Sequence, residues 1–353
     1  MTLESIVDQT TQTRRRDALP FFGGVLRKAF SEHISGMRDV QQRCRRYLHS
    51  PAGTPAAYTV APDRISPATF KLRRNLFSML FSAVYHVLDI PRERRFLYVQ
   101  LNYLFRIWVT SADNLLDAED KVVIPVRMQG QSRTMRQVVT LMAADRVLRE
   151  LLDEAVRSDT INAGAADRLS EQTLRCLLPS AAQEAGEEGG ITSPRPLPEF
   201  VLGTVHRYKT GILFHVPFVG PDVVETSIDR HLLEQIQEAL MNFGLGCQLL
   251  DDIRDVARDW IEQRHNYVLS LIEHQHPELL VRLRESVKTV EDRAYLVLPG
   301  PCAETAQRAL GLMTDALTLL GRCGFGFAPR TARRMATSML NVLDLGDLRY
   351  ATS

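Results

Sequence analysis

The chain of 353 residues has almost no net charge, because 43 Lys and Arg against 42 Asp and Glu leave a formal +1. That excludes the basic field with which a nucleic-acid binder neutralises a phosphate backbone. The local clusters TRRRD near the start and QRCRRYLH at 42–49 read as solvated helix faces. Cysteine is sparse: Cys44, Cys176, Cys247, Cys302 and Cys323 are scattered, with no CxxC spacing. Neither a zinc site nor a disulfide framework is indicated, and a reducing compartment, the cytoplasm, is the expectation. The N-terminus MTLESIVDQTTQTRRR lacks the positive-then-apolar order of a signal peptide. No run reaches the ~18 uncharged apolar residues of a membrane span, and even LYVQLNYLFRIWVT carries Arg106. Alternating apolar–polar runs bounded by turn pairs are missing, as is any repeat of about 20 to 50 residues.

What the chain does have is helical periodicity. Phe70, Leu76, Phe77, Leu80, Phe81 and Val84 recur at spacings of three and four, as do Met135, Val138, Val139, Met142, Val147, Leu148 and Leu151. Further helices are predicted over 24–49, 92–117, 165–183, 197–216, 228–256, 263–290, 303–321 and 329–344. Two stretches rich in proline and small residues, 49–67 and 186–198, read as loops. The expectation is an all-α protein, with an N-terminal extension and lead-in helix over 1–66 and one helical core over 67–353.

Two segments place carboxylates among apolar residues. In GLGCQLLDDIRD (244–255), Asp251, Asp252 and Asp255 sit beside Leu249, Leu250 and Ile253, and ionised carboxylates are costly to bury unpaired. In SADNLLDAEDK (111–121), Asp113 and Asp117 are four apart, as are Asp251 and Asp255, so each pair shares a helix face. Gln248 lies one turn before Asp251 on that face. Like charges at this spacing destabilise a helix, and a hard divalent cation reverses the sign of the effect. Mg²⁺ takes oxygen ligands, keeps several waters, and binds one or two carboxylates plus substrate phosphates. Solvated helix faces remain the alternative for each cluster alone. A third segment, HRYKTGILFHVPFVG (206–220), sets Lys209 and Thr210 before Gly211 in an apolar run, where the glycine suggests a kink or a close approach.

An Asp-rich helix, a Lys-Thr-Gly and a QxxDDxxD, in that order from about Phe70 to Tyr267, resemble the trans-prenyl diphosphate synthases. These have the class I terpenoid synthase-like fold, a bundle of mostly antiparallel helices around a central pocket. The resemblance implies that Asp113, Asp117, Asp251 and Asp255 hold Mg²⁺, roughly three ions bridging a substrate diphosphate. Asp113, Asp117, Lys209, Asp251 and Asp252 would carry the catalysis. Asn114, Lys209, Thr210, Gln248 and Arg264 (in QRHNY) would bind the allylic prenyl diphosphate, and Gln183 weakly matches a further glutamine. Lys71 and Arg74, in FKLRRNL, would hold isopentenyl diphosphate. Phe105 and Trp108 would form a pocket floor that limits chain length or, equally, be core packing. A homodimer is implied too.

The pattern also departs from the family. Asn114 stands where a second aspartate is usual, and Arg106 where a histidine is. The segment AEDKVVIPVRM lacks the Arg-Arg-Gly that follows the first motif, leaving Lys121, Arg127 or Arg106 as substitutes. Two reactions therefore stay open: prenyl transfer to isopentenyl diphosphate, or cyclisation by a class I terpene synthase. The retained aspartates of the second motif, Lys71 and Arg74 favour the first. The missing arginines and the terminal Arg349–Tyr350 pair, which also reads as a charged tail, favour the second. A non-catalytic subunit of the same fold is a minor alternative.

Overall fold

The computed structural model describes residues 24–117, 120–191, 194–343 and 345–346. Arg349 and Tyr350 lie outside them. The first helix, α1 (Gly24–Tyr47), buries Leu26, Ala29, His33, Met37, Val40 and Cys44, one mostly apolar stripe at spacings of three and four. It packs against α2 (Leu76–Val87), α3 (Arg92–Leu116) and α4 (Arg133–Arg157), and so contributes to the same core as the rest of the chain. A Cβ at Gly36 would lie 2.6 Å from Val99 Cγ1, so only glycine lets α1 approach α3 this closely.

Beyond α4 the chain forms α5 (Ala163–Arg175) and α6 (Leu178–Glu187), then a broken helical stretch, then α7 (Arg230–Arg254). After α7 come α8 (Tyr267–Gln275), α9 (Pro299–Leu320) and α10 (Pro329–Val342). The central helix α7 packs extensively on α9, with α10 behind it. Its buried residues run almost all the way round, from Leu233 and Ile236 to Leu249 and Ile253. Each such fully buried aliphatic or aromatic side chain contributes about 1.5–3 kcal/mol. Side-chain caps set several helix starts: Ser132, Asn162, Asp229 and Asn266 each accept the backbone N–H three residues on.

The all-α expectation holds, with local differences. The predicted helix 165–183 is two, broken at Cys176–Leu177 with Pro179 in the first turn of α6. The predicted helix 263–290 is likewise divided at Pro277, between α8 and a helix over Leu279–Ser286. Two three-residue strands, β1 (Val60–Pro62) and β2 (Val126–Met128), pair antiparallel with Ala61 opposite Arg127. Strands this short carry too few residues to show a period in sequence. Their pairing ties the loop before α2 to the segment that follows α3.

The stretch between α6 and α7 is the least regular. A π-helical turn over Val201–His206 leads into Arg207–Lys209, and a 3₁₀ segment follows over Gly211–Phe218. Gly211 stands at the change of pitch, where a Cβ would lie 2.5 Å from Met241 Sδ on α7. The sequence's hint of a close approach at this glycine is met. Among the described residues, no helix is long and apolar enough to cross a membrane.

Candidate active site

A cavity of about 800 Å³ opens between α3, α4, α5, α6, the broken stretch and α7. Its apolar lining includes Trp108, Leu141, Leu148, Leu174, Leu177 and Leu213. The two acidic pairs enter it in the same way. Asp117 caps the C-terminus of α3, with its N–H bonded to Asp113 O; Asp255 caps α7, with its N–H bonded to Asp251 O. All four line the cavity. A helix C-terminus carries partial negative charge, so carboxylate pairs there are disfavoured by each other and by the helix dipole.

Cations inside the site offset part of that cost. Arg254 forks onto Asp255 (Nε–Oδ1 2.9 Å, NH2–Oδ2 2.8 Å) and reaches Asp251 Oδ1 at 2.6 Å. Arg264 meets Asp117 Oδ1 at 3.2 Å. The compensation is incomplete. Burial pushes the Asp251 carboxyl up to about 6; Arg254 opposes this, while Asp255 and Asp252 add to it. Asp251 opens onto the cavity yet is hemmed in by protein, and this loss of solvation is what makes its ionised form costly. Asp259, also lining the cavity, is raised well above the ordinary carboxylate range by burial and by Asp252.

Asp252 behaves differently from its neighbours. One residue round the helix from Asp251, it is 1% exposed and fully engaged. Its Oδ1 accepts from Gln248 Nε2 at 2.9 Å, and its Oδ2 meets His206 Nε2 and the Tyr267 N–H, both at 2.6 Å. Asp252 also borders the cavity, so this network reaches the site itself. Gln248 in turn accepts from Thr210 Oγ1, joining that residue to the same network.

Lys209 lines the cavity and is held by Glu187 at 3.3 Å and Glu184 at 3.5 Å. Burial works against its ammonium, but these two carboxylates outweigh it and raise the pKa. Burial works against Arg264 as well, and Asp117, Glu262 and Glu184 outweigh it. Glu187 is itself 2% exposed and fixed by Gln183 Nε2 at 3.0 Å and the His265 N–H at 3.2 Å. Gln183 therefore bonds Glu187 and does not line the cavity. His206, Glu187 and Asp259 escaped the sequence reading. The only local signal was their closeness to Lys209, Gln183 and Asp255 in the chain.

Asn114 is 3% exposed and bonds the backbone of Lys121 on both sides, Nδ2 to O at 2.9 Å and Oδ1 from N at 3.0 Å. This corrects its expected role as a substrate ligand: the amide is used up in placing Lys121, which lines the cavity and acts electrostatically on Asp251. Of the other substitutes weighed for the missing arginines, Arg127 is exposed on β2 and Arg106 donates to Asn75 Oδ1 at 2.7 Å. Trp108 lines the cavity. Phe105 does not: it is buried behind Trp108 in an edge-to-face contact with centroids 5.5 Å apart. Lys71 and Arg74 are exposed and outside the cavity lining, because the short 3₁₀ turns that carry them stand before α2. The segment after α6 borders the site, with Glu188 on the cavity lining, and is held in place: Ile191 N–H bonds Gln263 O, Ser270 Oγ bonds Pro196 O, and buried Arg195 pairs with Glu273.

No family model and no curated protein sequence matches the chain. Solved structures do match it in fold. A decaprenyl diphosphate synthase from Rhodobacter capsulatus is 14% identical, with a TM-score of 0.59, over 90% of this chain and 98% of that one. A heptaprenyl diphosphate synthase from Staphylococcus aureus is 11% identical, with a TM-score of 0.57, over 86% and 98%. A polyprenyl synthase from Caulobacter crescentus, complexed with calcium and isoprenyl diphosphate, is 15% identical, with a TM-score of 0.56, over 92% and 98%. The chain thus has the all-α, terpenoid synthase-like fold of the trans-prenyl diphosphate synthases, across nearly the whole of their length.

Proposed function

We propose that the chain is a Mg²⁺-dependent enzyme that ionises an allylic prenyl diphosphate and transfers the allylic group to isopentenyl diphosphate, as a short-chain trans-prenyltransferase. The observation that carries this is the pair of carboxylate-bearing helix C-termini, α3 and α7, set over one cavity with an apolar wall. Among the described residues, no three His, Cys, Asp or Glu side chains close on a common metal point. The donors present are two pairs of cavity-lining carboxylates, hard oxygen ligands of the kind Mg²⁺ takes together with water and substrate phosphates. Asp113, Asp117, Asp251 and Asp255 would hold it. Bound there, Mg²⁺ supplies neutralisation of the charge that builds on the departing diphosphate.

The chain's own groups account for the rest. Lys209 and Arg264 bind and orient the diphosphate, exchanging Glu184 and Asp117 for phosphate oxygens, so that electrostatic stabilisation is in place as the C–O bond breaks. Thr210 and Gln248 hold the stretch bearing Lys209. The leucine-lined wall keeps water from the allylic cation until the alkene of isopentenyl diphosphate forms the new C–C bond and a proton passes to the released diphosphate. Trp108 narrows the cavity and so bounds chain length. For the second diphosphate the available cations are Arg106, whose charged form is disfavoured by burial and by nearby Arg74, together with Arg74 and Lys71. A bound anion would relieve that repulsion. A homodimer, to which the exposed Met135 and Met142 on α4 offer apolar surface, and a cytoplasmic location belong to the same reading.

A second reading, a class I terpene synthase, is favoured by one observation: Lys71 and Arg74 stand outside the cavity lining. Product analysis with Mg²⁺ and geranyl, farnesyl or geranylgeranyl diphosphate, with and without isopentenyl diphosphate, separates the two. Longer diphosphates formed only with isopentenyl diphosphate support transfer. Hydrocarbons or alcohols from the allylic substrate alone support cyclisation, and no turnover overturns both.

A further inference from the structure

Asp252 is the meeting point of three segments. Its carboxylate accepts from Gln248 within α7, from His206 in the π-helical turn, and from the backbone N–H of Tyr267 at the start of α8. Its backbone carbonyl accepts from Asn266 Nδ2 at 2.8 Å, and the same amide reaches Asp259 Oδ2 at 2.7 Å. His206 and Asp252 are 0% and 1% exposed, so the contact is dry. With the carboxylate accepting at every other contact, His206 Nε2 is the donor, and His206 Nδ1 has no hydrogen-bond partner. A buried side-chain nitrogen left unsatisfied costs stability. The π-helical turn inserts an extra residue per turn relative to its neighbours, and such turns concentrate at functional sites.

The spacing along the chain gives this hub its meaning. Lys209 lies three residues after His206, less than one helical turn on, and Arg264 lies three residues before Tyr267. The two cations, which both approach the carboxylate of Glu184, are therefore each tethered, by a short segment, to the same oxygen of the Asp252 carboxylate, Oδ2. That carboxylate is next in sequence to Asp251, which lines the cavity beside them. Errors of an ångström in such a constellation matter because charge–charge stabilisation depends on placement fixed in advance.

We propose that His206 is a positioning residue: through its bond to Asp252 it sets the place of Lys209 relative to Arg264 and to the carboxylates of α7, and so the fit of the site to a diphosphate group. This rests on the functional reading above and names a residue of this chain that neither the Lys-Thr nor the aspartate-rich pattern contains. Glutamine at 206 keeps a donor at the reach of Nε2. Asparagine is also polar but ends at the reach of Nδ1, and it leaves Asp252 short of a partner.

The test compares wild type, His206→Gln and His206→Asn by calorimetric titration with inorganic diphosphate in excess Mg²⁺, with melting temperatures recorded in parallel. His206→Asn should weaken diphosphate binding roughly tenfold to a hundredfold, the scale seen when the supports of ligating groups are lost, while His206→Gln stays within a few-fold of wild type. With an allylic substrate, kcat should fall more than KM rises in His206→Asn, because the misplaced charge is needed most as the C–O bond breaks. Equal affinities for the two variants, at equal foldedness, overturn the proposal. Should His206→Asn fold poorly, Asp252→Ala removes the acceptor that His206 and the Tyr267 N–H share, and wild-type affinity in that variant overturns it equally. A wild-type protein that binds no Mg²⁺-diphosphate sinks the functional reading itself, a result distinct from unchanged binding in the variants.

Discussion

The side-chain amide of Asn114 spans the backbone of Lys121, donating to its carbonyl at 2.9 Å and accepting from its N–H at 3.0 Å. No carboxylate can make both bonds, since it has nothing to donate. At 3% exposure, the aspartate expected at this position would face a carbonyl oxygen without water to separate them. Asn114→Asp should therefore destabilise the fold by about 1–3 kcal/mol and loosen Lys121. Calorimetric titration with Mg²⁺-diphosphate should show weaker binding. Lys121→Ala should weaken the same binding with little change in melting temperature, as Lys121 is exposed. Tighter binding by Asn114→Asp would show that the position serves the metal directly.

Asp255 caps α7 where both the helix dipole and Asp251 oppose its charge. Its fork with exposed Arg254 returns little. Asp255→Asn should leave the melting temperature of the protein alone nearly unchanged. It should also abolish the stabilisation that Mg²⁺ plus diphosphate gives, and reduce turnover by about two orders of magnitude. Differential scanning fluorimetry with and without both ligands reads the first two effects together.

His33 is fully buried, and burial, with a smaller contribution from Arg106, lowers its pKa to about 4 against the bond to Asn75. The folded value lies below the unfolded 6.5, so between them the unfolded chain takes up a proton that the folded one refuses. Stability should thus fall as pH drops from about 6.5 to about 4, by about 3 kcal/mol in all, and flatten below. Urea unfolding of wild type and His33→Gln at pH 7 and pH 4.5 tests this. The variant should lose less stability between the two, and an identical loss would remove His33 as the cause.

Trp108 and Phe105 lie edge to face, but only Trp108 borders the cavity. Trp108→Ala should enlarge the space available to the chain and shift products, read by mass spectrometry, to greater length. Phe105→Ala should leave product length alone and cost about 3–5 kcal/mol of stability, the usual loss for an aromatic ring deep in a core. A product shift in Phe105→Ala as large as in Trp108→Ala would reverse the assignment.

Much of the fold was legible because helix formation is a local matter. The helices α1, α3 and α7 all follow from spacing within one or two turns, and their predicted ranges lie within about two residues of those observed. The acidic pairs were legible for the same reason, since residues four apart share a face whatever the helix packs against. The breaks at Leu177, at the π-helical turn and at Pro277 were less so. Proline marks the first and the last of these in the chain, whereas the irregular stretch between α6 and α7 makes contacts with other segments, as when Ser180 bonds Lys209 O at 2.8 Å.

By itself the sequence determined that the chain is helical and that two carboxylate pairs, a Lys-Thr and an Arg lie in a fixed order along it. The choice between adjacent aspartates required the tertiary structure. Both border the cavity, but Asp251 is partly exposed there, whereas Asp252, about 100° further round the helix, is buried and claimed by His206 and the Tyr267 N–H. Packing also put Glu187 against Lys209, left Lys71 and Arg74 outside the cavity lining, and spent the amide of Asn114 on Lys121. The physical reason is common to all of these. Periodicity fixes which residues share a face, but the charge, burial and partners of a side chain are set by segments that may be dozens of residues away.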